Sequence, residues 1–375
     1  MRYSPLRHLP SLVWKRRPIQ LTFFVTRRCN ARCPFCFYLN DTDGAEPRAE
    51  EFSLEEVRQT APSLGRLLWL AFSGGEPYLR RDLVELSRVF YAENRPAIML
   101  YSTNGLLPEL VADRTERILA HCRNSTVVVK VSLDGIGEEH DRLRATPGSF
   151  ERAVRTYHLL ARLLNRYPNF ELGVNTVLLR GNQDRLDALI EFVRTLPGLR
   201  AHTISLVRGD PRDAWCKEVD PAAYRRAAAR LEAGLTGGSD PLYRFAGARL
   251  KAAQDILQRR LIHDTLTEHK RQIPCYAGRL NLVLNESGEL FACEMLSSSL
   301  GNLREHGYDA RRVLDGVRAR AILGGIAEGR CHCTHECYFI TNILFNPRLY
   351  PALACEYLRL GRAQPGGMAA SLLPR

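Results

Sequence analysis

Eleven cysteines stand in this 375-residue chain, and eight of them fall into two groups whose spacing suits metal–sulfur chemistry. The first group lies in CNARCPFCF, where Cys29, Cys33 and Cys36 are close together and Phe35 precedes the last thiol. Three such thiolates can hold three corners of an iron–sulfur cubane and leave the fourth iron open, whereas a structural zinc site is normally closed by four ligands. The second group begins with Cys275, Gly288 and Cys293 and ends in CHCTHEC, which supplies Cys331, Cys333 and Cys337. Read as zinc, that group would recruit His332 or His335. Glu294 directly follows Cys293, and a carboxylate beside a buried metal could have a raised pKa suited to a general base. Cys122, Cys216 and Cys355 have no partner at ligand spacing and read as buried or free thiols.

Apolar, β-branched runs recur at 19–26, 67–73, 97–102, 126–133, 171–179 and 202–207, separated by helix-like stretches at 53–63, 81–92, 108–121, 149–165 and 183–195. Ser53 with Glu56 three residues on is a capping box that fixes a helix start. Six strands alternating with helices imply a parallel sheet, in a partial (β/α) barrel or a doubly wound sheet. In a barrel, ligands gather at the C-terminal ends of the strands, which is where the Cys29 loop falls. Ser73–Pro77 (SGGEP) closes the second run, Thr103–Gly105 (TNG) the third and Ser132–Arg144 (SLDGIGEEHDRLR) the fourth. Beyond Val207 the pattern turns to Arg/Ala-rich helices, and then to a hairpin in which 280–284 and 290–292 flank Asn285–Gly288.

Composition narrows the function classes. Hydrophobic residues at 45% and charged residues at 25% make an ordinary globular mixture. An odd cysteine count, no signal-peptide core and no apolar run of membrane-spanning length argue against a secreted disulfide scaffold or an integral membrane protein. The protein reads as cytoplasmic. Its net charge is +12, and residues 1–28 hold seven Lys/Arg and no Asp or Glu. With Leu6, Leu9, Leu12, Val13 and Trp14 interleaved, this arm suits an anionic membrane surface or an anionic, phosphorylated substrate. No nucleic-acid-binding module follows it, and none is expected as a partner.

The cysteine triplet, GGE, TNG and SLDG stretches together resemble the radical S-adenosylmethionine (SAM) superfamily. The resemblance implies a [4Fe–4S] cluster on Cys29, Cys33 and Cys36, with SAM chelating the open iron. Phe35 would lie near adenine, Ser132 and Arg144 near ribose and the methionine part, and Gly74, Gly75, Glu76, Asn104, Asn175 and Leu206 would complete the pocket. The C-x12-G-x4-C hairpin is similar to the opening of the auxiliary SPASM and twitch domains. Six cysteines from 275 onward cannot fill the eight positions of two four-iron clusters, so one auxiliary cluster is expected. Its ligands would be Cys275, Cys293 and two of Cys331, Cys333 and Cys337, with only one of Cys331 and Cys333 joining Cys337. Relatives of the sulfatase-maturating kind place a proton-accepting acid at the position of Glu294.

The implied fold is α/β: a basic arm (1–18), a partial (β/α)6 barrel (19–210), a helical linker (211–270), a small α+β auxiliary-cluster domain (271–360) and a disordered tail (361–375). The implied enzyme is a monomer that takes electrons from flavodoxin or ferredoxin. It cleaves SAM reductively and abstracts hydrogen from a small molecule, glycan, lipid or peptide. Two alternatives differ in kind: a peptide- or protein-maturing radical SAM enzyme, and a non-enzymatic zinc and nucleic-acid-binding module.

Overall fold

Apolar runs of five to nine residues form six parallel strands, β1 (Gln20–Phe24), β2 (Trp69–Ser73), β3 (Ile98–Thr103), β4 (Thr126–Ser132), β5 (Phe170–Leu178) and β6 (Ala201–Leu206). The structure is a computed structural model that describes residues 2–39, 50–329 and 331–361. The tail expected to be disordered lies, beyond Gly361, outside them. The crossovers are α1 (Leu54–Leu64), α2 (Leu83–Glu93), α3 (Pro108–His121), α4 (Glu138–Leu143), α5 (Ser149–Ala161) and α6 (Leu186–Arg194). The capping box at Ser53 is formed, with Glu56 N to Ser53 Oγ at 3.3 Å and Ser53 N to a Glu56 carboxylate oxygen at 2.7 Å.

The strands follow one another in the order β6-β5-β4-β3-β2-β1 without reversal. A doubly wound sheet reverses at a switch point, so the two readings left open by periodicity separate here in favour of an unclosed, partial barrel. Its apolar interior is a cluster of Trp69, Ala71, Leu100 and Val128.

Two expected boundaries dissolve. α7 (Pro221–Gly237) and α8 (Ala248–Glu268) are no linker, because Tyr224, Leu231 and Ile256 pack with Ile204 and Leu206 of β6 in one core. The hairpin is no separate sheet either. β7 (Asn281–Leu284) pairs in parallel with β1, then β8 (Glu289–Phe291) and β9 (Gly301–Asn302) continue antiparallel, giving nine strands in one sheet. The expected turn is made by Asn285, whose side-chain oxygen accepts from the backbone of Ser287 and Glu289. Four helices follow: α9 (Ala310–Leu314), α10 (Val317–Ala327), α11 (Glu336–Leu344) and α12 (Tyr350–Arg359).

The basic arm holds a 3-10 helix over Pro5–Leu12. Arg7 donates to Leu67 O at 2.8 Å and to Arg95 O, both just ahead of β2 and β3. The arm therefore sits at the N-terminal ends of the strands, while the Cys29 loop sits at the C-terminal ends. Strands of five residues or more set the two roughly 17 Å apart.

Candidate active site

The Cys29 loop leaves β1 and runs backbone to backbone along the turn after β2. Gly75 N donates to Thr26 O at 2.7 Å and Glu76 N to Arg28 O at 2.8 Å. A Cβ on Gly75 would lie 2.2 Å from Arg28 O, and one on Gly74, whose φ is +125°, 2.5 Å from Thr26 O. The two glycines are thus required first by the neighbouring chain. Glu76, 2% exposed, has both oxygens engaged: Oε1 accepts from Thr103 Oγ1 (2.9 Å) and Tyr78 N (3.2 Å), and Oε2 from Asn104 N (2.7 Å). Burial pushes its pKa up to about 7, against the pull of these hydrogen bonds. Glu76 fastens the ends of β2 and β3 together, and Asn104 reaches on to Asn30 Oδ1 at 2.8 Å beside Cys29.

Arg144 is no surface ion pair. It is 6% exposed, its Nε donates to Asp134 Oδ2 at 2.8 Å, and its guanidinium lies 5.8 Å from the centre of the Phe35 ring. Asp134, fully buried, also accepts from Val177 N at 2.7 Å, and its own N–H donates to His140 Nδ1 at 3.0 Å. Asp134 belongs to the SLDG stretch yet carried no expected role. Its signal was an acid placed at a strand end ten residues before an arginine.

Cys29, Cys33, Cys36, Phe35, Gly74, Gly75, Glu76, Asn104, Ser132, Arg144, Asn175 and Leu206 all line one cavity of about 200 Å³. Burial pushes the Cys33 thiol up to about 12 despite nearby Arg144. A thiol of that kind stays protonated at neutral pH unless a metal takes its sulfur. Three sulfurs on one cavity, beside a Glu76 whose two oxygens are already engaged, fit a cluster with one open iron.

Leu206, Val207 and Arg208 also line a second cavity of about 360 Å³, whose wall holds Cys275, Cys293, Cys331 and Cys333. Cys337 does not line it. Its thiol is buried, with Glu294, Arg208 and Glu336 the charges acting on it. Where the sequence expectation joined only one of Cys331 and Cys333 to Cys337, the geometry sets both of the former on this cavity and Cys337 off it. Residues 331–335 form neither helix nor strand, and in an open chain residues two apart share a side, while Cys337 already belongs to the first turn of α11. Among the described residues no three His, Cys, Asp or Glu groups converge as one metal ion requires. A cavity ringed by four thiols fits a polynuclear cluster better than zinc, whose bonds to sulfur are about 2.3 Å. Of the remaining thiols, Cys122 and Cys216 are buried and Cys355 is exposed.

Glu294 departs from expectation. It lines neither cavity, and its side chain is 3% exposed between Arg208 Nη2 (3.1 Å) and His335 Nε2 (2.9 Å). Burial alone would raise its pKa, but its close contacts with His335 and Arg208 outweigh it and hold the carboxyl at about 2. A carboxylate so clamped is a poor base. Arg208, which sequence reasoning missed, reaches from Glu294 toward Glu336 and lies 5.0 Å from the centre of the Phe37 ring.

With this geometry in place, comparison with known proteins adds four findings. The family described as "Radical SAM superfamily" matches residues 23–193. An AdoMet-dependent heme synthase of Methanosarcina barkeri is 27% identical over 307 residues, covering 78% of this chain and 81% of that one. A mycofactocin maturase of Mycolicibacterium smegmatis is 28% identical over 74% of this chain, which spans 64% of the maturase. Among solved structures, anSMEcpe with bound AdoMet superposes with a TM-score of 0.58 at 14% identity, over 92% of this chain and 96% of that one, a likeness of fold.

Proposed function

Proceeding from a chain that belongs to the radical SAM superfamily through residues 23–193, we propose that Cys29, Cys33 and Cys36 hold the SAM-binding [4Fe–4S] cluster and that Cys275, Cys293, Cys331 and Cys333 hold one auxiliary cluster. What the first cluster supplies when bound is one electron to the sulfonium of SAM, which yields methionine and a 5′-deoxyadenosyl radical able to take a hydrogen atom from a substrate. The observation that carries this reading is the single cavity at the strand ends that gathers all twelve residues, sharing a wall with a second cavity ringed by thiols.

Arg144, fixed by Asp134, would hold the carboxylate and ribose of SAM together with Ser132, and Phe35 would cover the adenine. Glu76 and Asn104 hold the rim in place. Asn175 and Leu206 form the opposite wall, and Leu206 with Val207 keeps water from the passage between the cavities. The substrate binds where the two cavities meet, beside Arg208. Glu294 acts there through Arg208 as a positioning residue. A cytoplasmic flavodoxin or ferredoxin serves as the reductant, and no helix among the described residues is long and apolar enough to cross a membrane. A second reading, maturation of a peptide, is favoured by the likeness to the mycofactocin maturase over 74% of the chain.

The test is anaerobic iron and sulfide analysis joined to dithionite-driven SAM cleavage. The holoenzyme should carry about eight irons and release 5′-deoxyadenosine, and Cys33→Ala should keep about four irons and release none. A reconstituted wild type that holds no iron and leaves SAM intact would overturn the reading.

A further inference from the structure

The end of the barrel away from the cysteines carries a different kind of surface. In the 3-10 helix Pro5–Leu12, residues three apart eclipse one another, so Leu6, Leu9 and Leu12 form one apolar stripe. The stripe borders a cavity of about 840 Å³, larger than either cysteine-lined one. Its wall includes Trp69 and Ile98 at the starts of β2 and β3, its far rim includes Tyr357 and Leu358 of α12, and no Asp or Glu lines it. Eight of the eleven large apolar side chains exposed among the described residues lie on this arm or rim, with Val13 at 91% and Leu358 at 81%. Folded chains rarely leave such a patch uncovered.

Charge identifies what covers it. The arm itself, residues 1–18, holds five Lys/Arg and no acid. Arg2 and Arg7 are spent on backbone carbonyls of the body. Arg16 and Arg17 are exposed, the former over the ring of Trp14 at 4.8 Å. A second copy meeting this face about a twofold axis would set cation against cation, and a soluble apolar ligand would leave the cations unused.

We propose that this face docks on an anionic membrane surface, with the stripe, Val13 and Trp14 entering the boundary between headgroups and acyl chains and the exposed Arg16 and Arg17 meeting lipid phosphates. The arm is then a docking element rather than a substrate-contacting one, and the cavities that hold the cysteines face away from the bilayer. The proposal does not depend on the chemistry at the cysteines, so its failure leaves the reaction assignment standing.

The experiment is sedimentation of the anaerobically prepared full-length holoenzyme with vesicles of phosphatidylcholine or of an equal mixture with phosphatidylglycerol. Wild type should pellet with the anionic vesicles only, be released by salt, and show a blue shift of Trp14 emission that is absent in Trp14→Phe. Replacing Arg16 and Arg17 together by Gln should weaken partitioning roughly thirty-fold, and Leu9→Asp with Val13→Asp should abolish it. Both variants should cleave SAM with dithionite as wild type does, which shows them folded. Protein that stays in the supernatant, pellets equally with neutral vesicles, or instead forms a dimer that Leu9→Asp and Val13→Asp break, would overturn the proposal.

Discussion

Cys29, Cys33 and Cys36 come from one short stretch directly after β1, whereas Cys275, Cys293, Cys331 and Cys333 come from three segments that meet only in the folded chain. The first loop is held by backbone hydrogen bonds to the turn after β2, which in turn is held by Glu76 to the end of β3. The second is held by side chains: Arg271 donates to Cys331 Sγ at 3.1 Å and to Cys331 O at 3.0 Å, and Asn342 accepts from Tyr276 N at 2.9 Å. The first site is therefore a property of regular strand ends, with little freedom to vary. The second is a property of loops, where a cysteine can shift by a few residues and still reach the cavity.

That contrast breaks most sharply at Gly75. Because a Cβ there would sit 2.2 Å from Arg28 O, Gly75→Ala must part the two chains that frame the Cys29 loop. SAM cleavage should fall at least a hundred-fold, with about 1–3 kcal/mol of stability lost to overpacking. Gly324, inside α10, has nothing within 4 Å of the same position, so Gly324→Ala should leave SAM cleavage intact and stability unchanged or slightly raised. Equal activity in the two variants would mean that the first loop tolerates displacement as well as the second region does.

The next test lies within the second site. Cys331→Ser should cost the holoenzyme about four of about eight irons, and Cys337→Ser should cost it none, while both keep dithionite-driven SAM cleavage. The reverse pattern of iron loss would place Cys337 among the ligands and Cys331 outside them. Arg271→Ala, which removes the donor to Cys331, should lower auxiliary iron with no effect on the first cluster.

How much could be read from the sequence follows the same divide. The six strands and the Ser53 cap stand where periodicity put them, and the residues that the family resemblance named line one cavity at the strand ends, because a strand end fixes its loop to within a residue. Arg144 needed the structure only to show that its partner is the buried Asp134 rather than a surface acid. For the second site, spacing drew five cysteines together without saying how they divide. Cys331 and Cys333 share a side because their segment is open chain, and Cys337 is turned away because α11 has already begun. The pairing of β7 with β1 was equally beyond periodicity, since the hairpin joins a strand more than 250 residues earlier. The surroundings of Glu294 were not legible for an electrostatic reason: its neighbours in sequence say nothing of Arg208 and His335, which arrive from β6's end and from the segment before α11 and flank it.

The smallest expected effect lies where the two regions are tied together. Arg304, after β9, donates to Glu56 of α1 with Nε–Oε1 at 2.6 Å, so the cap of a barrel helix also anchors the region beyond the hairpin. The hydrogen bond from Arg304, with those from Ser53, outweighs partial burial and holds the Glu56 carboxyl at about 2, below its ordinary 4.5. A carboxyl whose native pKa is depressed stabilises the fold fully above its unfolded value, and the stabilisation is lost as pH falls through the native one. Arg304→Ala should therefore cost about 1–2 kcal/mol at neutral pH, and the gap to wild type should narrow steadily below about pH 4.5. Thermal midpoints of the two anaerobic holoenzymes across that range would check it. A gap that stays constant on acidification would show that Glu56 keeps its native charge balance without Arg304, and that the two regions are joined by packing rather than by this pair.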